Sequence, residues 1–531
     1  MKFFNSLLSL ILIFVLLLSC GTKQEPGKKA LEPTFAETEP NDSQAQAHPV
    51  KDGTIATGFI GAKKDQDWYQ ISIPSDSSAI LRAELTGVLG LNLKMELFDS
   101  DNERLVEVDR HKEEKGEALT NYGLTTGDYF LRVRELWAPG KERKFNDTTA
   151  YLLHIHLSSI RPDVEFESNN KAIKSNLIQS EQPIRGYISP FKDVDWYKIL
   201  PPGYGNHYLE LQLSGLENVD LQLEVYDPIE ALLLKRNNAG KGEGETILNL
   251  GINPELEFYY IAVRGGIWHS NEDSTYQLSA IFRVYEGKME LEPNDRLVRA
   301  SEIVRGDTVS AFFDTGDDVD WYQIQSFAPY PQIARIEVFS IPKVDLNLAL
   351  FNETEQQVWS VNETGEMENE IITNIGLKSN TNYFLKVENL AKSTNLDEKY
   401  SIYMDINRLL AEEEFEPNNQ KDLATIISLD TRVKGFIHPI GDTDFYKLDL
   451  SNSNATGLKL TLKGIVKVNT DMVLYDADLQ IIAEANSRQT EETETLSVKI
   501  KRGVYFIKVY DNDGKESNYR DQYELLVISQ P

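Results

Sequence analysis

Only one of the 531 residues, Cys20, is a cysteine. The body of the chain therefore has no thiols, and disulfides cannot stabilise it. Histidine is scarce too: there are seven (48, 111, 154, 156, 207, 269 and 438), none in an HExxH arrangement. His154 and His156 stand two apart on one strand face, in a single place along the chain. Neither a Gly-x-Ser-x-Gly elbow nor a phosphate-binding loop is present, so nothing supports catalysis, and the chain reads as a non-enzyme. Basic residues are in deficit, 54 against 84 acidic ones, for a net charge of −30. That balance argues against nucleic acid, whose phosphates need clustered Lys and Arg, and against direct adhesion to an anionic lipid surface. It suits cation binding, or simple solubility. No stretch keeps a helical period, and long Gly/Ser linkers are missing.

What is present begins with an export segment. Lys2 precedes an apolar run from Leu7 to Leu18, broken only by Ser9 and ending in Leu17-Leu18-Ser19-Cys20. The run is too short for a spanning helix, which needs about 20 apolar residues. The ending resembles a bacterial lipobox, with Cys20 as the first mature residue and the site of lipidation. The other reading is an ordinary signal peptide with an incidental cysteine. Residues 1–19 are thus expected to be a lipoprotein signal peptide, and 20–36 the lipidated cysteine and a flexible tether. The membrane partner is reached through Cys20. The expected location is the cell envelope of a bacterium, at the outer membrane or cell surface.

The rest of the chain is a pair of short motifs occurring four times. Glu37-Thr38-Glu39-Pro40-Asn41-Asp42 is followed by Asp65-Gln66-Asp67-Trp68-Tyr69. The later pairs are Glu165–Asn170 with Asp193–Tyr197, Glu290–Asp295 with Asp318–Tyr322, and Glu414–Asn419 with Asp442–Tyr446. The second Glu and the second Asp are 28 residues apart each time (39 to 67, 167 to 195, 292 to 320, 416 to 444). The copies start 128, 125 and 124 residues apart. That is an ordinary domain size and too long for a solenoid repeat, which runs to about 20–50 residues. The expected boundaries are 37–160, 161–285, 286–409 and 410–531.

Each copy then shows strands of period-two alternation. Leu221, Leu223 and Val225 alternate with Gln222, Glu224 and Tyr226. Leu346, Leu348 and Leu350 do the same, as do Met472 and Leu474. A regular later strand reads Tyr129–Val133, Tyr259–Val263, Tyr383–Val387 and Tyr505–Val509. The last strand is expected to begin at Tyr151, Tyr276, Tyr400 and Tyr523. Several short strands per unit predict an all-β chain of four tandem jelly-roll-like antiparallel β-sandwich domains. Brief connections between units predict a semi-rigid rod.

With these motifs in this order, each unit resembles the bacterial pre-peptidase C-terminal (PPC) domain, a family that includes collagen-binding domains of clostridial collagenases. The resemblance covers Glu37 to the C-terminus. It implies a jelly-roll-like sandwich, often with calcium near the N-terminal linker. Such domains usually accompany a protease domain, and here there is none.

The acidic motifs have their own chemical rationale. Ca²⁺ takes six to eight oxygen ligands from carboxylates, amides and carbonyls. The candidate sets are Glu39, Asn41, Asp42, Asp65 and Asp67; Glu167, Asn169, Asn170, Asp193 and Asp195; Glu292, Asn294, Asp295, Asp318 and Asp320; Glu416, Asn418, Asn419, Asp442 and Asp444. No Cys or His accompanies them, which disfavours Zn²⁺ and softer metals. Alternatively, Pro-Asn-Asp makes a turn and Asp-x-Asp caps a strand, with no metal. Grouped carboxylates without a cation would repel one another, so Ca²⁺ is the expected cofactor. Asn170 and Asn419 replace an Asp, which predicts stronger sites in the first and third copies. Calcium at these turns, which lie where one unit joins the next, would also stiffen the rod.

Trp68, Trp196, Trp321 and Phe445 share one position and are expected in the core, each opening an apolar strand. Trp137 and Trp268 lie in polar loops and are candidate ligand contacts; packing against the domain's own edge is the other reading. The function expected is a non-catalytic, lipid-anchored envelope protein with calcium-stabilised modules. It binds a protein or polysaccharide partner such as extracellular matrix. Alternatives are a passive spacer or scaffold, and an accessory subunit that targets a separate hydrolase.

Overall fold

The alternating runs become strands, and nearly all regular structure is strand. The computed structural model describes residues 32–530 except 138, 267–268, 327 and 487–489. Residues 1–19 (expected to be an export segment), Cys20 and Trp268 lie outside the described residues. Among the described residues there is no α-helix. The only helical turns are four 3-10 turns, Gln44–Gln46, Ala172–Lys174, Leu297–Arg299 and Lys421–Leu423, one just after each acidic motif. No described helix is long and apolar enough to cross a membrane.

The chain forms two compact units, Met1–Ser159 and Ile160–Pro531. In the second unit each repeat supplies one five-stranded and one four-stranded sheet. In the second repeat the five-stranded sheet centres on Val194–Ile199, Tyr259–Gly265 and Leu221–Tyr226. The four-stranded sheet centres on His207–Leu213 between Asn271–Val284 and Glu245–Gly251. The third and fourth repeats have the same order. A separate apolar core accompanies each pair of sheets; Leu209, Leu223, Ile261 and Leu278 are solvent-free in the second repeat.

The first unit differs. Gln66–Leu85 and Glu117–Glu135 are long strands that pair twice, Gln66–Ile73 with Gly127–Arg134 and Ser78–Leu85 with Glu117–Thr125. They join what are two sheets elsewhere into one eight-stranded sheet around one core.

Two sequence expectations need correction. The sheets are not wholly antiparallel. A short strand after each 3-10 turn pairs parallel to the Asp-x-Asp strand, as Asn176–Leu177 does with Tyr197–Lys198. Runs of two or three residues are too short to show a period. The last strands begin at Asn146, Asn271, Asn395 and Asn518, not at the tyrosines five residues on. Each Asn folds its side-chain oxygen onto backbone N–H groups two and three residues later, as Asn146 does with Thr148 and Thr149. A register shift follows before the regular pairing. These Asx turns hid the strand starts.

Candidate metal centre

The Asp-x-Asp strand sets the site. Successive side chains on a strand face opposite ways, so Asp67 and Tyr69 point inward while Trp68 points outward. Trp68 is buried in a small satellite cluster with Phe98 and Phe130, apart from the main core. Trp196 packs likewise on Tyr226 and Tyr260. Trp321 and Phe445 face Phe351 and Tyr475 and are half-buried.

Inward, the second Asp of each motif meets a tyrosine pair. Tyr151 donates its hydroxyl to Asp67 Oδ2 at 2.6 Å and lies 2.6 Å from the Tyr69 hydroxyl. Tyr276 serves Asp195 at 2.6 Å, Tyr400 serves Asp320 at 2.5 Å, and Tyr523 serves Asp444 at 2.6 Å. The strand opposite makes room for this pair: a Cβ on Gly186 would lie 2.4 Å from the Tyr276 hydroxyl.

The acidic turn folds onto the same point. In the first repeat Asn41 donates its side-chain N–H to Glu37 Oε2 (2.9 Å) and its backbone N–H to Glu39 Oε2 (3.0 Å). Glu37 Oε1 accepts the Phe59 N–H at 3.2 Å. Asn169, Asn294 and Asn418 repeat both Asn bonds, with Glu165 and Glu167, Glu290 and Glu292, and Glu414 and Glu416. The Asn carbonyl then accepts the N–H of the residue after the second Asp, 3.2 Å in every repeat. The first Asp is held through Oδ2 by the N–H four residues before it, from Gly61, Ser189, Asp314 and His438, at 2.6, 2.7, 2.8 and 3.0 Å.

The outcome is four clusters in which both oxygens of the first Glu are held, while the Asn and the second Asp each keep one oxygen without a partner. Carboxylate oxygens of Glu37, Glu39 and Asp67 lie within 4.8 Å of one another, as do those of Glu165, Glu167 and Asp195; of Glu290, Glu292 and Asp320; and of Glu414, Glu416 and Asp444. The spread is what ligands on opposite sides of one cation show at about 2.3–2.6 Å each. Buried oxygens without a hydrogen-bond partner converge there: Oδ1 of Asn41 and Asp67, of Asn169 and Asp195, of Asn294 and Asp320, and of Asn418 and Asp444. Glu167 Oε1, Asp193 Oδ1 and Glu416 Oε1 join them. A buried acceptor normally finds a donor, and a positive ion answers all of these at once. The donor set is oxygen throughout, so these clusters could hold a hard metal ion.

Without such an ion the charges are costly. Burial pushes Asp67 up to about 8, Asp444 to about 6, and Glu290 and Asp318 to about 7. Asp193, Asp195, Glu292, Asp320, Glu414, Glu416 and Asp442 are driven well above the carboxylate range, by burial first and neighbouring carboxylates second.

Of the residues nominated from sequence, the second Glu, the Asn and the second Asp converge in every repeat. The first Asp borders the cluster: Asp65 stands beside Glu39 and Asp193 beside Glu167, while Asp318 shares a further triad with Glu292 and Asp314. The sixth motif residue sits at the rim: Asn170 donates its amide N–H to Glu167 Oε2 at 3.2 Å, and the buried Asn419 Oδ1 has no hydrogen-bond partner. Asp42, Asn170 and Asp295 are exposed and Asn419 is half-buried. Asp42 Oδ1 accepts the Gln66 N–H and Asn170 Oδ1 that of Val194. Asn419 turns its amide N–H toward Asp442. The Asp/Asn difference between copies therefore falls on a bracing position. Sequence reasoning passed over the first Glu (37, 165, 290, 414) and the two tyrosines, although both recur at fixed places in all four copies. The first repeat's cluster is the most open, with Glu39 exposed and Asp65 half-buried.

Within the second unit the preceding repeat completes the site. Asn249 donates to Glu290 Oε1 at 3.2 Å, and Glu292 exchanges backbone hydrogen bonds with Asn249 and Gly251 (2.9 and 2.8 Å). Asn374 and Gly376 treat Glu414 and Glu416 the same way. A Cβ on Gly376 would meet the Phe415 ring at 2.6 Å, so only glycine lets the turn dock.

Trp137 is 37% exposed beside Phe145 and Leu89 in a cleft of about 980 Å³ in the first repeat. Its ring N–H is tied to the Lys141 carbonyl at 2.7 Å, and the Arg143 guanidinium lies 4.6 Å from the ring centre. His154 and His156 do face one way, outward, beside Glu84 and Asp52.

No family model matches the chain, and no curated protein matches it. Among solved structures it is similar to a pre-peptidase C-terminal domain of a collagenase from Bacillus anthracis, with 22% identity, 20% of this chain, 93% of that chain and a TM-score of 0.17. It is also similar to a protein from Eubacterium rectale described as secreted, with 9% identity, 47% of this chain, 85% of that chain and a TM-score of 0.16. At these TM-scores the fold description rests on the sheet topology above.

Proposed function

We propose that this is a non-catalytic, lipid-anchored protein of the bacterial envelope, built from four tandem jelly-roll-like sandwich modules of PPC type. Calcium bound in the acidic clusters stabilises the modules, and they present a binding surface to a protein or polysaccharide. The observation that carries the reading is the fourfold recurrence of orphaned, buried oxygens around one point. Oxygen-only donors at extracellular calcium levels favour Ca²⁺ over transition metals. The anchor is Cys20, whose diacylglycerol and N-acyl chains would exceed the two signals that stable attachment needs. The cleft around Trp137, where a fixed aromatic ring, Phe145 and charged side chains lie together, supports a partner surface there.

At ~1 mM calcium and a Kd of about 10⁻⁴ M, binding stabilises a module by about 1.4 kcal/mol. Scanning calorimetry of the full mature chain with calcium and with chelator tests this. A rise in melting temperature with calcium supports the reading, and superimposed traces reject it.

The second reading is a passive spacer. It is favoured by the backbone bridges that dock the acidic turns of repeats three and four onto the preceding repeat. A glycan and matrix-protein array, run with and without chelator, separates the two: calcium-dependent capture supports the binding module, and a blank array supports the spacer.

A further inference from the structure

The third acidic cluster has a neighbour that its siblings lack. Arg236 ends the strand Leu232–Arg236 of the second repeat, opposite Leu223. At the same register position, opposite Met95, Leu348 and Met472, the other repeats carry Val108, Val361 and Ala485. An arginine thus stands where the fold otherwise places a small apolar side chain, and it is 5% exposed. Its guanidinium pairs with Asp314 of the third repeat, and Asn238 donates to the Asp314 carbonyl at 2.7 Å. Asp314 is itself an exception, since Gly61, Ser189 and His438 occupy its place elsewhere. Carboxylate oxygens of Asp314, Glu292 and Asp318 lie within 4.8 Å of one another. Arg236 therefore brings a fixed positive charge to a triad that shares Glu292 with the third cluster and includes Asp318 at its border. Besides Asp314, the charges of Glu292 and Asp318 also attract it.

The orphaned oxygens agree. In the second repeat Glu167 Oε1 and Asp193 Oδ1 are orphaned. Their counterparts in the third, Glu292 and Asp318, carry no buried orphaned oxygen; in the fourth Glu416 Oε1 is orphaned and Asp442 is not, and in the more open first repeat neither Glu39 nor Asp65 is.

We propose that Arg236 is a built-in cation for the third cluster, substituting for part of the charge that a divalent ion supplies in the second and fourth. It sits beside the space such an ion would take and repels it. The third cluster then binds calcium at least tenfold more weakly than those of the second and fourth repeats. The junction between repeats two and three stays closed when calcium is removed. This rests on the calcium reading above and reverses the order of strength expected from sequence, in which the third copy ranked with the strongest.

The test is a calcium titration of the full chain followed by hydrogen exchange, read separately on the segments Glu165–Asn170, Glu290–Asp295 and Glu414–Asn419. The expected result is a midpoint at least tenfold higher for the third-repeat segment, with more protection than the other two in chelator. Arg236→Val should lower that midpoint at least tenfold, reduce its protection in chelator, and leave the other two segments alone. If loss of the arginine prevents folding, Arg236→Val with Asp314→Ser restores the arrangement seen at Val361 and Ser189, and the same shift is expected. Equal midpoints in the unmodified chain would overturn the arginine assignment and leave the calcium reading standing. So would an unchanged third midpoint in the variants. Exchange that ignores calcium in all three segments would sink both.

Discussion

Tyr276→Phe isolates one bond of the site. Tyr276 is wholly buried, and its hydroxyl lies 2.6 Å from Asp195 Oδ2 and 2.6 Å from the Tyr197 hydroxyl. Phenylalanine keeps the ring, so apolar burial is unchanged. The loss is a hydrogen bond to Asp195, and its size depends on the charge there. With a cation bound, Asp195 is ionised and the bond is charge-assisted, worth about 1.5–3 kcal/mol. In chelator, burial drives the Asp195 pKa well above the carboxylate range and favours the neutral acid, whose bond is worth about 1 kcal/mol. The difference, about 0.5–2 kcal/mol, must appear as calcium binding weakened about 2- to 30-fold in the second repeat. Site-resolved exchange on Glu165–Asn170 across a calcium titration measures it. An unchanged midpoint, with the same destabilisation in calcium and in chelator, would refute the claim that the tyrosine holds a metal-bound carboxylate.

Three further outcomes are expected. Burial raises the pKa of Asp67 from 3.8 to about 8; a raised folded value means stability present below about pH 4 and lost as pH rises toward 8. The chelated protein should therefore melt at falling temperature across that window, while calcium flattens the profile, as a pH series of melting curves would show. Asn374→Ala removes the donor from the third repeat to the buried Glu414 and should cost about 1–3 kcal/mol at that junction; exchange should rise in Glu414–Asn418 and not in Glu165–Asn170. Trp137→Ala should abolish capture on a glycan or matrix array while leaving calcium binding intact, and retained capture would move the partner surface elsewhere.

Much of the architecture was legible because it repeats. The 28-residue gap pointed to the second Glu, the Asn and the second Asp, and those side chains do meet. The first Glu was equally regular, and on an extended segment it shares a face with the second, but it was passed over because the 28-residue gap was counted from the second Glu alone. Both reach it because Asn41 and its counterparts bond each in turn. The tyrosine pair joins strands about eighty residues apart, a contact that alternation within one strand cannot announce. Arg236 was invisible for the opposite reason. It breaks the repeat, and its meaning lies in Asp314, 78 residues on. The fusion of the first repeat's strands into one sheet depends on whether residues 74–77 continue the strand, which composition does not decide.

The central claim is that the acidic clusters hold calcium. Its most direct test is a calcium-binding isotherm of the full mature chain, set beside a variant carrying Asp67→Asn, Asp195→Asn, Asp320→Asn and Asp444→Asn. The account predicts saturable uptake with Kd of about 10⁻⁴ to 10⁻³ M, proton release on binding, one site weaker than the rest, and loss of uptake in the variant. No uptake by the unmodified chain, or equal uptake by the variant, would contradict it.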